Sequence, residues 1–386
     1  MRPRLVIDGT ALTESAVSGV SQYLRGIVIE IDRLLALPEW SGIRVELVVP
    51  LDHRDRIDTL RLQRVRVRRL PLPHLVFVGL ATHRWLPPMD LLLGRGWYFV
   101  PRFISWPLRR SPSITTVHDL SFEDVPQYGN DRYVRALQRL VRTSVQHSTL
   151  VASDTHAMAA HVASFYRLGA DRMLVTTPAA EPDLFAPRSE ADVAAVRDRY
   201  GLPQSYVLSV GNLEPRKNQA ALLRAFGRLP AEVRGDRGVV LVGAASWKNA
   251  EILDAADALR AGGVDVRVLQ GTVTDDDLPA VYSGADVFAF VSHYEGFGMP
   301  VVEAMQCGAP VVASDIPVLR EVGGDAAVYV DPDEETSIAD GLRSVLALSA
   351  DERAALVAKG AANAARYTWA APATAILERV LEGSDR

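Results

Sequence analysis

Two glutamates separated by seven residues, Glu295 and Glu303, are the acidic side chains of this sequence whose placement best suits chemistry. They follow the apolar run Val287–Phe290, so their loop is predicted at the carboxyl end of a strand, where doubly wound sheets bind ligands. A carboxylate there can accept both hydrogens of a ribose diol or bind sugar hydroxyls. Two acids together also suit general acid–base hydrolysis, and the spacing alone does not choose between these chemistries.

The residues between the two glutamates add backbone groups to this predicted site. Gly296 and Gly298 flank Phe297 and allow the chain to approach a ligand closely in unusual conformations. Successive N–H groups in such a loop can bind hydroxyls or phosphate oxygens. Met299 follows, and Pro300 suits the first position of a helix, so a helix is predicted over residues 300–306.

A basic pair, Arg216 and Lys217, follows a second strand-like run, residues 206–210, and a glycine at position 211. Gly211 permits a tight turn, and the pair is predicted at a helix start, where the helix dipole also favours anions. Arginine holds phosphate oxygens bidentately and lysine acts as a compact charge, so the pair is predicted to bind phosphate groups. Fixed cations can stabilise a departing diphosphate without a metal. No metal is predicted, and the acids at 331 and 333 are expected to form a turn.

The first half of the chain supplies two further candidates. His118 and Asp119 follow the predicted strand 114–117, where a histidine can contact a ligand, although such a pair is more often structural. Gly19 stands at the predicted start of a helix over 19–36, whose N-terminus can approach phosphates. An ordinary helix start capped by Ser18 is the alternative.

Short apolar runs alternate with amphipathic stretches along the chain, which predicts an α/β protein with two doubly wound, Rossmann-like domains. Domains are predicted over residues 1–180 and 181–365, joined by a proline-rich stretch at 176–189, with a last helix in 366–386. Strands are predicted at 5–7, 45–49, 65–69, 91–93, 114–117, 149–152, 206–210, 239–242, 266–269, 287–290, 311–313 and 327–330.

Charge is unevenly distributed between the halves. Residues 1–180 hold 23 arginines against 16 acids, a balance of +7, whereas the remainder is −12. The basic half, with the alternating arginines of residues 64–69 and the aromatics of residues 85–106, predicts either ordinary surface and core or a face for an anionic acceptor or membrane. The acidic overall charge and the lack of a nucleic-acid-binding motif argue against nucleic acid. One cysteine and no long apolar run predict a cytoplasmic protein, peripheral to the membrane at most.

The segments around Glu295 and Arg216 resemble the donor site of glycosyltransferase family 4, a family with the two-domain GT-B fold. The resemblance implies domains that face a central cleft, a retaining reaction and a nucleotide-sugar donor. It implies that Glu295 contacts the donor sugar, that Glu303 binds the ribose and that the backbone at 297–299 holds sugar hydroxyls. It also implies that the last helix crosses back to the first domain.

A shorter string, His118-Asp-Leu-Ser-Phe122, is similar to one in bacterial polysaccharide mannosyltransferases of the family. It implies GDP-mannose as donor, with His118 at the sugar and Asp119 orienting it. The expected acceptor is a saccharide, lipid-linked or natural-product molecule. The alternatives are a sugar-nucleotide epimerase or hydrolase of the same fold, and a non-catalytic sugar-nucleotide-binding protein. An NAD-dependent oxidoreductase is disfavoured because the sequence lacks the G-x-G-x-x-G motif.

Overall fold

The structure, a computed structural model, describes residues 3–14, 18–52, 54–83, 85–246 and 248–383, without the side chains of residues 54 and 55. Its contacts divide the chain into two compact units, Met1–Ala179 with Thr368–Arg386, and Ala180–Tyr367. The domain boundaries predicted from the sequence, after residues 180 and 365, lie one and two residues from these divisions.

The N-terminal unit is built on a seven-stranded parallel sheet in the order β3-β2-β1-β4-β5-β6-β7. Its strands are β1 (Arg4–Asp8), β2 (Arg44–Val49), β3 (Arg66–Arg69), β4 (Trp97–Val100), β5 (Ser113–Thr116), β6 (Leu150–Ser153) and β7 (Met173–Val175). Its helices up to the end of that sheet are α1 (Gly19–Leu34), α2 (Arg54–Asp58), α3 (His74–Thr82), α4 (Met89–Leu93), α5 (Ser121–Asp124), α6 (Asp131–His147) and α7 (His156–Tyr166).

The C-terminal unit has a six-stranded parallel sheet in the order β10-β9-β8-β11-β12-β13. Its strands are β8 (Tyr206–Val210), β9 (Gly238–Gly243), β10 (Val266–Gln270), β11 (Val287–Phe290), β12 (Val311–Ser314) and β13 (Ala327–Val330). Its helices are α8 (Glu190–Tyr200), α9 (Gln219–Gly227), α10 (Ala231–Arg234), α11 (Ala250–Ala261), α12 (Leu278–Ser283), α13 (Met299–Gln306), α14 (Pro317–Gly323), α15 (Glu335–Leu346) and α16 (Ala350–Ala364). The predicted α/β class with two Rossmann-like domains is confirmed.

Both faces of each sheet are covered, which explains why inner strands such as β4 and β11 are apolar throughout rather than alternating. In β1, Leu5 and Ile7 join the core beneath α1, whereas Val6 joins the core beneath α3 and α4. Successive side chains of a strand point to opposite faces of the sheet. All three side chains are fully buried because both faces are covered. The last helix, α17 (Ala370–Glu382), packs on α1 through residues such as Ile376 and Leu377.

One predicted strand is wrong. Residues 91–93 belong to α4, and the strand at that place in the sheet is β4, which the sequence analysis missed. In α4, Met89 and Leu93 are buried while Leu91 and Leu92 are exposed, which is the four-residue spacing of a helix rather than the alternation of a strand. The aromatic run of β4 is buried between β1 and β5, so most of it is core.

No helix in the described parts of the chain is both long and apolar enough to cross a membrane.

Candidate active site

The C-terminal sheet reverses its strand order between β8 and β11, and the predicted site lies at that point. β8 pairs with β9 on one side and with β11 on the other. Loops that leave neighbouring strands in opposite directions open a crevice at the carboxyl end of a sheet, where doubly wound proteins bind ligands. Arg216 and Lys217 follow β8, and Glu295 follows β11, so the topology brings the two sequence segments together.

Arg216, Lys217 and Glu295 form one ion cluster. Lys217 Nζ donates to Glu295 Oε1 at 2.6 Å, and Arg216 Nη1 lies 3.4 Å from Glu295 Oε2. Arg216 Nη1 also donates to the carbonyl oxygen of Tyr294 at 2.7 Å. The cluster therefore places both cations next to the loop that carries Glu295.

Glu214, which the sequence analysis missed, completes the cluster. Arg216 Nη2 donates to Glu214 Oε1 at 2.6 Å, so two carboxylates balance the two cations. Burial opposes the charge of Glu295, but Lys217 and Arg216 outweigh it and hold the pKa of its carboxyl below the ordinary value. Glu295 is thus an ionised, nearly buried group that fixes both cations in place.

Backbone conformation sets the position of the cations. Pro215–Lys217 form a 3₁₀ turn, and Asn218 adopts the left-handed conformation with φ of 57° before α9 begins. The basic pair therefore precedes the helix rather than starting it, which corrects the predicted placement. Gly211 has φ of 147°, and the Gln219 side chain donates to its carbonyl oxygen at 3.2 Å, which closes the loop over Lys217.

The loop before α13 depends on Gly298. Its φ is 102°, which strains any residue with a side chain, and a Cβ atom there would lie 2.7 Å from Leu319 Cδ2, so the Leu319 side chain would have to shift. Gly296 does not adopt a positive φ. Phe297 is buried and packs edge-on against Tyr367, and Met299, the first residue of α13, is half-buried. These two side chains anchor the loop and leave its backbone to contact a ligand.

Glu303 lies in α13 and is protonated far more readily than an ordinary glutamate. Burial raises the pKa of its carboxyl to about 7, although a hydrogen bond from Tyr282 opposes this. Tyr282 Oη donates to Glu303 Oε2 at 2.8 Å. Glu303 and Glu295 are therefore in opposite electrostatic environments, one without a cation and one between two.

In the N-terminal unit, the partner of His118 is Asp154 rather than Asp119. His118 Nδ1 lies 2.9 Å from Asp154 Oδ2, and Nε2 lies 3.2 Å from the carbonyl oxygen of Pro101. Burial disfavours a charged ring, but the Asp154 carboxylate outweighs it and raises the pKa of His118. The ring thus bridges the ends of β4, β5 and β6, and a substrate contact requires release of the Pro101 carbonyl.

Asp119 and Gly19 lie at helix starts. Asp119 Oδ1 accepts hydrogen bonds from the backbone and hydroxyl of Ser121, at 2.9 and 2.8 Å, at the start of α5. The orienting contact predicted for Asp119 is therefore made by Asp154. Ser18 caps α1 in a reciprocal capping box with Ser21, and open space lies beside Gly19. The phosphate contact of Gly19 stays a prediction.

A cavity of about 440 Å³ opens at the corresponding reversal of the N-terminal sheet, between β1 and β4. The polar lining includes Asp8, Thr10, Glu14 and Arg102, and the apolar lining includes Phe77, Trp106, Leu137 and Leu140. Arg102 pairs with Glu14 and donates to Thr10 Oγ1 at 3.1 Å. Burial raises the pKa of Asp8, and Arg102 offsets part of that effect. The cavity can hold a polyhydroxylated group against an apolar wall.

Besides Glu214, the candidate site residues that the sequence analysis missed are of two kinds. Asp154 and Asp8 each directly follow or end a buried strand, which is a signal that the sequence carried. Tyr282 carried no such signal, because its contact with Glu303 arises from the packing of α12 on α13.

Within the described residues, no group of three or more His, Cys, Asp or Glu side chains is arranged to hold a metal ion. Asp331 accepts a hydrogen bond from the backbone of Asp333, as in the predicted turn.

Residues 196–363 match the family model of glycosyl transferases group 1. The chain is 34% identical over 275 residues to the O-antigen chain mannosyltransferase B of Escherichia coli, a match that covers 70% of each protein. The chain belongs to the group 1 glycosyltransferases. It is also 29% identical to the serotype-specific mannosyltransferase WbdA of Escherichia coli, over 70% of this chain but only 34% of that protein.

The structure of this glycosyltransferase resembles that of Anabaena HepE in complex with UDP and glucose, with a TM-score of 0.71 and 17% sequence identity. The match covers 98% of this chain and 99% of HepE. At that identity the likeness shows the fold, and it agrees with the GT-B architecture predicted from the sequence. An epimerase, a hydrolase or a non-catalytic binding protein is not favoured by these comparisons.

Proposed function

We propose that this glycosyltransferase is a retaining, metal-independent mannosyltransferase of family 4 that transfers mannose from GDP-mannose to a saccharide acceptor. The observation that carries the proposal is the ion cluster of Arg216, Lys217 and Glu295 at the strand reversal of the C-terminal sheet. Mannose is favoured because two of the relatives are named mannosyltransferases. The string that begins at His118 supports the same donor by resemblance.

In this proposal the two cations bind the donor diphosphate. Transfer breaks the bond between the sugar C1 and a phosphate oxygen, and the nucleoside diphosphate leaves with the bonding electrons. Arg216 and Lys217 stabilise the negative charge that develops on it, because fixed, desolvated cations need no reorganisation during the reaction. Glu295 keeps these cations in position and its free lone pairs accept sugar hydroxyls.

Glu303 is assigned to the ribose. As a carboxylate it accepts both hydrogens of the 2′,3′-diol, and the hydrogen bond from Tyr282 keeps it oriented. The acceptor hydroxyl then attacks the same face of C1 that the phosphate leaves, and its proton passes to the departing phosphate oxygen. This front-face route needs no enzymic nucleophile.

The cavity between β1 and β4 is assigned to the acceptor. Its charged end, with Asp8, Glu14 and Arg102, offers hydrogen-bond acceptors and donors to a saccharide, and its apolar wall suits a sugar face or a lipid tail. A donor-sugar contact by His118 stays a prediction, since protein groups contact both ring nitrogens in this structure.

The test is a transfer assay with purified protein, GDP-mannose and a mannoside acceptor, followed by NMR of the new linkage. Acceptor-dependent release of GDP with an α-linked product, unchanged by a chelator, supports the proposal. Rapid release of GDP without acceptor would favour a hydrolase. Loss of turnover with the chelator would contradict the proposal that the enzyme needs no metal. Activity with a UDP-sugar and none with GDP-mannose would show that the proposed donor is wrong, while the proposed type of reaction would stand.

A further inference from the structure

Helices α3 and α4, which cover one face of the N-terminal sheet, and the segment between them carry an unusual group of exposed apolar side chains. Leu75 is 83% exposed and Trp85 is 73% exposed. Three further large apolar side chains are also exposed: Val76, Leu91 and Leu92. We call these five side chains the α3–α4 surface. Exposed single hydrophobic residues are common, but a group of large ones on adjacent elements marks an interaction site.

The two helices that carry this surface pack on one core. The inner sides of α3 and α4 share one core, to which Phe77 contributes from α3 and Leu93 from α4. Both helices therefore cover the same face of the sheet, and Leu75, Leu91 and Leu92 lie on their exposed sides. Trp85 lies three residues beyond the end of α3, and its backbone N–H donates to the carbonyl oxygen of Leu80 at 2.8 Å. The α3–α4 surface is therefore a local, structured feature.

Helix α3 itself is apolar on all sides. Its sequence, His-Leu-Val-Phe-Val-Gly-Leu-Ala-Thr, contains no acidic, lysine or arginine side chain. A helix of this kind is normally buried in protein or in lipid, whereas a helix on the surface of a water-soluble domain has a charged face. Leu75 and Val76 of α3 nevertheless point away from the core.

The segment that carries the α3–α4 surface is basic, although the half-buried carboxylate of Asp52 accepts the backbone N–H of His74 at the start of α3. Residues 71–112 contain five arginines and a single acid, Asp90. That acid is buried, and its carboxylate accepts N–H groups of Arg109, Arg110 and Ser111 at 2.9 to 3.1 Å. Arg95, Arg109 and Arg110 are exposed. The segment therefore presents positive charge and no exposed carboxylate.

We propose that the α3–α4 surface docks on an anionic lipid bilayer, with Trp85 and the leucines in the interface and the arginines on lipid phosphates. Tryptophan favours the boundary between lipid tails and headgroups, and arginines near it are attracted to anionic lipids. A second copy of the chain fits less well, because a two-fold contact would set the same arginines against each other. The inference does not depend on the donor or acceptor of the enzyme.

The test is co-sedimentation of the full chain with vesicles of phosphatidylcholine alone and with about 30 mol% phosphatidylglycerol. The chain should bind the anionic vesicles preferentially and less in about 0.5 M salt than in about 0.1 M salt, since salt screens the arginines. The double variant Leu75→Asn/Trp85→Ser should lower the partition coefficient at least about tenfold. The variant Arg109→Gln/Arg110→Gln should lower it about tenfold on anionic vesicles only.

Matched controls come from α1, which covers the opposite face of the same sheet. Ile29→Asn/Leu37→Asn, in α1 and three residues beyond its end, and Arg25→Gln/Arg33→Gln in α1 change exposed apolar and arginine residues away from the α3–α4 surface and should leave binding unchanged. Melting temperatures separate loss of folding from loss of binding. Absence of binding by the folded chain, equal binding to both vesicles, or equal losses in the controls would overturn the proposal. So would a dimer that Leu75→Asn/Trp85→Ser abolishes, which would assign the surface to a second copy.

Discussion

The raised pKa of Glu303 predicts that donor binding depends on pH near neutrality. Burial places this pKa at about 7, so the fraction of Glu303 that is ionised changes strongly within one pH unit on either side. If only the carboxylate accepts both ribose hydroxyl hydrogens, affinity for the donor follows that fraction. Affinity should then rise about tenfold between about pH 6 and about pH 8, with proton release on binding at the acid end.

Two variants make the origin of this dependence specific. Glu303→Gln preserves shape but cannot ionise, so its donor affinity should be low and independent of pH. Tyr282→Phe removes the hydrogen bond that lowers the pKa of Glu303, so the midpoint should move to higher pH. Glu232→Gln, an exposed glutamate on α10, is the matched control and should behave as the wild type.

The assay is isothermal titration calorimetry with GDP-mannose, whose diphosphate does not titrate in this range, in buffers of different ionisation enthalpy. The buffer series counts the protons released, and the titrations give the affinity at each pH. A wild-type affinity that is flat between about pH 6 and about pH 8, or a pH dependence that persists in Glu303→Gln, would refute the ribose assignment of Glu303.

Three further predictions concern the ion cluster, the loop before α13 and the buried histidine. Lys217→Ala should lower kcat/KM at least about a hundredfold, because a fixed cation at the leaving group is lost. The control Lys359→Ala, on the exposed side of α16, should leave kcat/KM unchanged. Steady-state kinetics measure both variants, and near-native turnover of Lys217→Ala would remove Lys217 from the mechanism. Gly298→Ala should lower the melting temperature and the donor affinity together, because φ is 102° and the new Cβ would lie 2.7 Å from Leu319 Cδ2; unchanged values in calorimetry would contradict the positive φ. Asp154→Asn should lower the pKa of His118, since the carboxylate holds it above its ordinary value; an unchanged NMR titration of the ring would count against that pair.

Much of the C-terminal unit follows from local sequence. Strands β8, β11 and β13 were predicted with the bounds that the structure has, because each is a short, mostly apolar run between glycine- or proline-containing turns. The sequence could not show that β8 and β11 are neighbours, since two strands intervene along the chain. The contact between Lys217 and Glu295 depends on that neighbour relation, which long-range packing decides.

The N-terminal unit was harder to predict for a physical reason. The leucine-rich run of α4 and the aromatic run of β4 are both short and apolar, and short apolar runs do not distinguish a helix from a strand. Similarly, Asp119 stands next to His118 in sequence, but consecutive residues past a strand point in different directions. The ring meets Asp154 from the neighbouring strand instead.

The central claim is that Arg216 and Lys217 bind the donor diphosphate without a metal. The most direct measurement is a crystal structure of the protein with GDP-mannose or GDP and magnesium both supplied. The account predicts phosphate oxygens within hydrogen-bond distance of Arg216 and of Lys217 Nζ, with no ion between protein and phosphate. Phosphates held elsewhere, or bridged to the protein by a magnesium ion, would contradict it.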